Sequence, residues 1–299
     1  MRNLLIAATV LIAGSTVAPA ADNTNTANTA NAAYPQAHLL IEPPALQQAI
    51  AQGKVVVLDA RTRQAYEAGH IATARWVDHD DWSQSFAAKP DADAFSKRIG
   101  ALGIANDTPV VIYDDQMSKN AARIWWILRY FGHTQAQLLN GGWVTWTAEE
   151  RPTTQDIPAD NTAAFKPQVE SRRLTNSDDV LAGLAGSQLQ MLDVRSFGEH
   201  CGLDKLKNAR GGAIPGARHL EWSDLLDDET HRFKSPQQLQ ALFTESGLDL
   251  TRPIATHCQS GGRASVMAFG LELMGGKDVR NYYDILTARG NDESRPIQT

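Results

Sequence analysis

Short apolar runs that stop at a polar turn, each followed by a stretch with apolar residues three and four apart, set the pattern of this chain. "VVVLDARTRQAYEAGHIATARWV", Val55 to Val77, and "QMLDVRSFGEHCG" with "GGAIPGARHL" each read as a strand ending in Asp-x-Arg, a glutamate-bearing turn, then Gly-x-Ile and a small-residue bend. "PVVIYDDQMSKNAARIWWILRYFG" and "PIATHCQSGGRASVMAFGLELMG" form a second pair, a buried strand running through a polar turn into a helix. Strands alternating with helical stretches predict α/β architecture, and the pairing predicts an internal duplication into two tandem domains, each a parallel sheet with helices on both faces. The expected boundaries are 38–150 and 174–299, joined by an ordered or semi-ordered Pro- and Thr-rich linker, Arg151–Arg173.

The N-terminus departs from this pattern. Arg2, an apolar run from Leu4 to Ala13 and Ala18-Pro19-Ala20 read as a secretory signal over residues 1–20. The apolar run is shorter than the roughly 20 residues of a spanning helix, so no stable membrane insertion is expected after cleavage. A polar and alanine-rich tract follows, expected as a tether over residues 21–37. The expected location is periplasmic, or secreted.

The 299 residues, 42% hydrophobic and 21% charged, are ample for two domains. A net charge of -6 gives no basic stripe for phosphate backbones, so nucleic acid is not an expected partner and a small molecule is. Cys201 and Cys258 are the two cysteines, with no CxxC-like cluster to suggest a metal site or a disulfide framework.

Aligned from Pro109 and Pro253, the second pair sets Cys258 opposite Asp114, which suggests an exposed strand-end turn that is active in one half only. A strand ending at His257 and a helix starting near Ala264 leave Cys258, Gln259, Ser260, Gly261, Gly262 and Arg263 as a tight loop over a helix N-terminus. Gly261 and Gly262 allow inward-turned N–H groups, and these donors, the helix dipole and Arg263 all favour a thiolate nucleophile.

With these motifs in order, the sequence resembles the two-domain rhodanese sulfurtransferases over nearly all of its expected mature length. The resemblance rests on "LDARTRQAYEAGHI", "RIWWILRYFGH" with "LNGGWVTW", "LDVRSFGEH" with "RGGAIPGARHLEW", "FKSPQQLQALF" and "CQSGGR". In that family the N-terminal domain lacks the catalytic cysteine, which agrees with Asp114 at the matching position here. The resemblance implies a ping-pong reaction: Cys258 takes a sulfane sulfur from a donor as a persulfide, then passes it to cyanide or a thiol, with no metal or organic cofactor. A cysteine phosphatase is the rival enzyme, but that signature has five residues between Cys and Arg where this loop has four. A persulfide-sensing or binding module without turnover is the non-enzyme alternative.

The resemblance also bears on the donor. The mercaptopyruvate branch carries a CGSGVT-like loop, an arginine at the position of Glu199 and a histidine at that of Ala87; this chain departs at all three, which leans toward thiosulfate over 3-mercaptopyruvate. Arg195 and Arg210 are second-rank candidates for donor binding, Arg195 being more often a structural partner of Asp193 in such a turn. Trp222 matches Trp82 and is read as core, and His257 is expected to point away from the site. Cys201 is read as an unpaired loop thiol, the alternative being a resolving thiol for Cys258. Near the C-terminus "NYYDILTARGNDE" replaces the family's common tryptophan-bearing pattern.

Overall fold

A computed structural model of the protein describes residues 33–180, 189–206, 208–282 and 297–298. The expected signal, most of the expected tether and the stretch from Asp284 to Glu293 lie outside the described residues. In chain order the strands are β1 (Leu40–Ile41), β2 (Val56–Asp59), β3 (His70–Ile71), β4 (Arg75–Trp76), β5 (Val110–Tyr113), β6 (Ala136–Leu139) and β7 (Thr153–Thr154) in the first half. The second half holds β8 (Gln190–Asp193), β9 (Arg218–His219), β10 (Ile254–His257) and β11 (Val279–Tyr282). The helices are α1 (Pro43–Ala51), α2 (Arg63–Ala68), α3 (His79–Ala88), α4 (Ala92–Ala101), α5 (Lys119–Tyr130), α6 (Gly142–Ala148), α7 (Phe197–His200), α8 (Pro236–Glu245) and α9 (Gly262–Leu273).

The two main sheets repeat one topology. The first runs β1-β6-β5-β2-β4 and the second β11-β10-β8-β9, with every neighbouring pair parallel. Asp59 stands beside Tyr113 in one, and Asp193 beside His257 in the other. The Asp-x-Arg turns match as closely: Arg61 Nη2 donates to Asp59 Oδ2 at 2.6 Å and to the Gly69 carbonyl at 2.7 Å, while Arg195 Nη2 donates to Asp193 Oδ2 at 2.6 Å and to the Gly212 carbonyl at 2.9 Å.

Two segments are more tightly held than their composition suggests. The expected tether ended at Ala37, yet the Tyr34 hydroxyl donates to the Lys234 carbonyl at 2.8 Å and Gln36 N–H to that of Leu273 at 3.0 Å, because an aromatic ring with a polar tip offers both an apolar face and a donor. The expected linker straps the first half: β7 pairs antiparallel with β3, and Phe165 is buried.

α5 and α9 join the halves. Each has 12 residues, and the buried ones are all of α5 except Lys119 and Arg129 and all of α9 except Arg263. A helix that is apolar on every side must be covered on every side. These two cover each other, Trp125 meeting Phe269 edge-on at 5.0 Å, so one apolar cluster runs through both halves. Trp82 and Trp222 pack within or against it, as core. The polar N-terminal ends of both helices therefore emerge together, beside Cys258.

Candidate active site

β10 ends at His257, and the chain turns onto α9 through Cys258–Gly261, so the helix begins at Gly262, two residues before the expected start. Gly261 is the N-cap at φ +86°, a left-handed conformation that strains any residue with a Cβ. Its carbonyl accepts the Ser265 N–H at 2.9 Å and hydroxyl at 2.8 Å, which fixes the turn from below. Its N–H points up and donates to Cys258 Sγ at 3.1 Å.

Gly262 serves a different purpose from the one expected, since its φ is not left-handed. A Cβ there would lie 2.6 Å from Arg123 Nη2. Arg123, one face of α5 from the first half, donates through Nη2 to the Ser260 carbonyl at 3.2 Å and hydroxyl at 3.3 Å. The cysteine-less half thus braces the loop of the other.

The expected exposed turn is a correction. Cys258 is 3% exposed and its counterpart Asp114 2%, because α5 and α9 press together where both loops begin. Asp114 shows what such a loop holds: Oδ1 accepts the N–H groups of Gln116 (2.8 Å) and Ser118 (3.0 Å), and Oδ2 those of Asn120 (2.7 Å) and Ala121 (2.8 Å). Burial raises the Asp114 pKa, and these amides oppose the rise. By position along the two 12-residue helices, Asn120 and Ala121 correspond to Arg263 and Ala264.

Arg263 is also placed differently from expectation. Its Nη1 and Nη2 donate to Glu199 Oε2 and Oε1 at 2.6 and 2.9 Å, a two-pronged pair that engages the guanidinium already assigned to a donor. Burial disfavours the Arg263 charge, but Glu199 and Cys258 outweigh it and raise its pKa. Burial likewise raises the Glu199 carboxyl, and Arg263 and Ser196 more than reverse that, leaving it below its ordinary range.

Arg195 is 3% exposed, and its guanidinium donates to Asp193 and to the Gly212 carbonyl. Arg210 lies half-buried after Asn208, whose side chain exchanges hydrogen bonds of 3.1 and 3.2 Å with Gln259. His257 is fully buried with Nε2 3.9 Å from Asp193 Oδ2. Cys201 is a free thiol that caps α7 and lines a 120 Å³ cavity with His200, Ala213, Ala217 and Gln298.

Beside the loop lies a cleft of 590 Å³ between the halves, lined by Thr62, His79, Asp80, Asp115, Gln116, Lys119, Asn120 and Arg123 from the first half and Ser260 and Arg263 from the second. Neither Arg195 nor Arg210 lines it. Burial lowers the His79 pKa, Arg123 adds to the shift and Asp80 opposes it. Arg123 and Lys119 were absent from the expected site, and Glu199 entered only as a position that discriminates between donors; Arg123 had a signal in the sequence, a charge set among the apolar residues of "AARIWWIL".

A buried thiol on an amide donor at the start of a buried helix, in the second of two repeated parallel-sheet halves, defines a tandem-domain α/β protein with one thiol-bearing loop. The chain belongs to the rhodanese family: a family model described as a Rhodanese-like domain matches residues 42–149 and 176–284. It is 33% identical over 264 residues to a thiosulfate sulfurtransferase of Rattus norvegicus, covering 81% of this chain and 89% of that protein. It is 32% identical over 228 residues to a 3-mercaptopyruvate sulfurtransferase of the same organism, covering 74% of this chain and 76% of that protein. Among solved structures, SseA from Escherichia coli shares the fold with a TM-score of 0.73 at 24% identity, over 82% of this chain and 97% of that one.

Proposed function

We propose that the protein is a thiosulfate sulfurtransferase that works through a Cys258 persulfide. The thiolate attacks the outer sulfur of thiosulfate, a sulfur–sulfur bond to Cys258 forms, and the bond inside thiosulfate breaks, so that sulfite leaves with the electron pair. Cyanide or a thiolate then attacks the outer persulfide sulfur, and the Cys258 thiolate is the leaving group. Every step transfers sulfur between sulfur or carbon nucleophiles, so the loop must hold a negative charge one atom beyond Sγ.

The observation that carries this reading is the Asp114 carboxylate. It reaches beyond its Cβ into four backbone N–H groups, as an outer sulfur about 2.05 Å past Sγ would reach toward the matching donors of the Cys258 loop. Thiosulfate is favoured as donor by the Gly-Arg ending of the loop and by Glu199. 3-Mercaptopyruvate is the second reading, supported by the similar protein of that name.

Thiocyanate formation from thiosulfate and cyanide, and the corresponding assay with 3-mercaptopyruvate, test the assignment. Wild type should turn over thiosulfate with the higher kcat/KM, and Cys258→Ser should fall to background; equal activity in the two proteins removes the mechanism. Arg2, the Leu4–Ala13 run and Ala18-Pro19-Ala20 support export to the periplasm as part of the same proposal.

A further inference from the structure

With Arg263 held by Glu199 and Arg123 held by Ser260, the cations nearest the thiol are engaged before any donor arrives. The cleft carboxylates are engaged too: Asp80 Oδ1 lies 3.2 Å from His79 Nδ1 and 4.0 Å from Arg123 Nη1, and Asp115 Oδ1 accepts a hydrogen bond from Gln116 Nε2 at 3.3 Å. Lys119 differs. It lines the cleft, is half-buried, and among the described residues its ammonium has no hydrogen bond or ion pair.

Its placement follows from helix geometry. Lys119 and Arg123 are four residues apart on α5 and share a face. Arg123 touches Ser260, two residues beyond Cys258, so Lys119 stands about one turn, roughly 5.4 Å, further out along the mouth of the same loop. It is also the first residue of α5, where the helix dipole adds to its positive charge.

We propose that Lys119, from the half without a cysteine, forms the subsite for the anionic end of the sulfur donor. The sulfonate of thiosulfate rests against the Lys119 ammonium while the outer sulfur meets Cys258, and sulfite departs from the same place. Recognition and chemistry are thereby divided between the halves. This rests on the sulfurtransferase reading and adds the residue that selects an anionic donor.

The two half-reactions can be measured separately in the full-length protein: persulfide loading by thiosulfate in single turnover, and discharge by cyanide. Lys119→Met keeps the apolar stem and removes the charge. It should raise the thiosulfate concentration for half-maximal loading about tenfold, leave the maximal loading rate near wild type and leave discharge unchanged. Lys119→Arg should restore most of the affinity. Added sodium chloride should weaken thiosulfate binding in wild type more steeply than in Lys119→Met. Unchanged loading in Lys119→Met, or an effect confined to discharge, overturns the subsite. Wild type that cannot be loaded at all overturns the sulfurtransferase reading instead, so the two failures are distinct.

Discussion

Glu199 and Arg263 hold each other at 2.6 and 2.9 Å on the rim of the Cys258 loop, and that contact sets how much positive charge the loop offers. Glu199→Gln keeps the shape of the side chain and removes its charge. The guanidinium is then available to a sulfonate, and the KM for thiosulfate should fall about threefold to tenfold while the melting temperature drops. Steady-state thiocyanate assays alongside thermal unfolding check both effects, and an unchanged KM would show that Arg263 never competes for the donor. The loop itself was legible in the sequence, since a glycine pair between a strand and a helix has few uses. Its partners were not: Glu199 lies 64 residues away and Arg123 lies 137 away from their contacts, and a single sequence carries no record of which distant charges meet.

At the scale of elements, the ends of β2 and β8 carry the same ion pair in both halves, Asp59 with Arg61 and Asp193 with Arg195. The recurrence of Asp-x-Arg at both strand ends was visible in the sequence, whereas the sequence left Arg195 as either a donor-binding candidate or a structural partner of Asp193. Burial raises the Asp193 carboxyl, but His257, Arg195 and His200 more than reverse this and hold it well below the usual carboxylate range. A depressed carboxyl contributes its full stability above the unfolded pKa of about 3.9 and loses it as pH falls through the folded value. Asp193→Asn should therefore cost about 3–5 kcal/mol at neutral pH, the penalty of leaving Arg195 buried without its partner. Urea unfolding at pH 7 and at pH 3 measures this: wild type should lose stability on acidification, and the variant should lose less. A variant as acid-sensitive as wild type would assign the effect to other carboxylates.

For the molecule as a whole, the duplication predicted from sequence is the architecture found, because repeated apolar runs dictate repeated sheets. The burial of both loops was not legible: α5 and α9 each look like the inner face of their own domain, and only packing shows that they also cover each other. One consequence concerns Asp114. Its carboxylate is a permanent guest in the first loop, so that half is a mould set once, at folding. On the proposed mechanism the Cys258 loop receives its guest only during turnover, so the sulfur-loaded intermediate is expected to be its firmer state and the resting protein the softer one. Hydrogen exchange at the Arg263 and Ala264 amides should slow when thiosulfate loads the protein and recover when cyanide unloads it, and identical exchange in both states would break the parallel with Asp114. The first half then records in its covalent structure a moment that the second half reaches once per catalytic cycle.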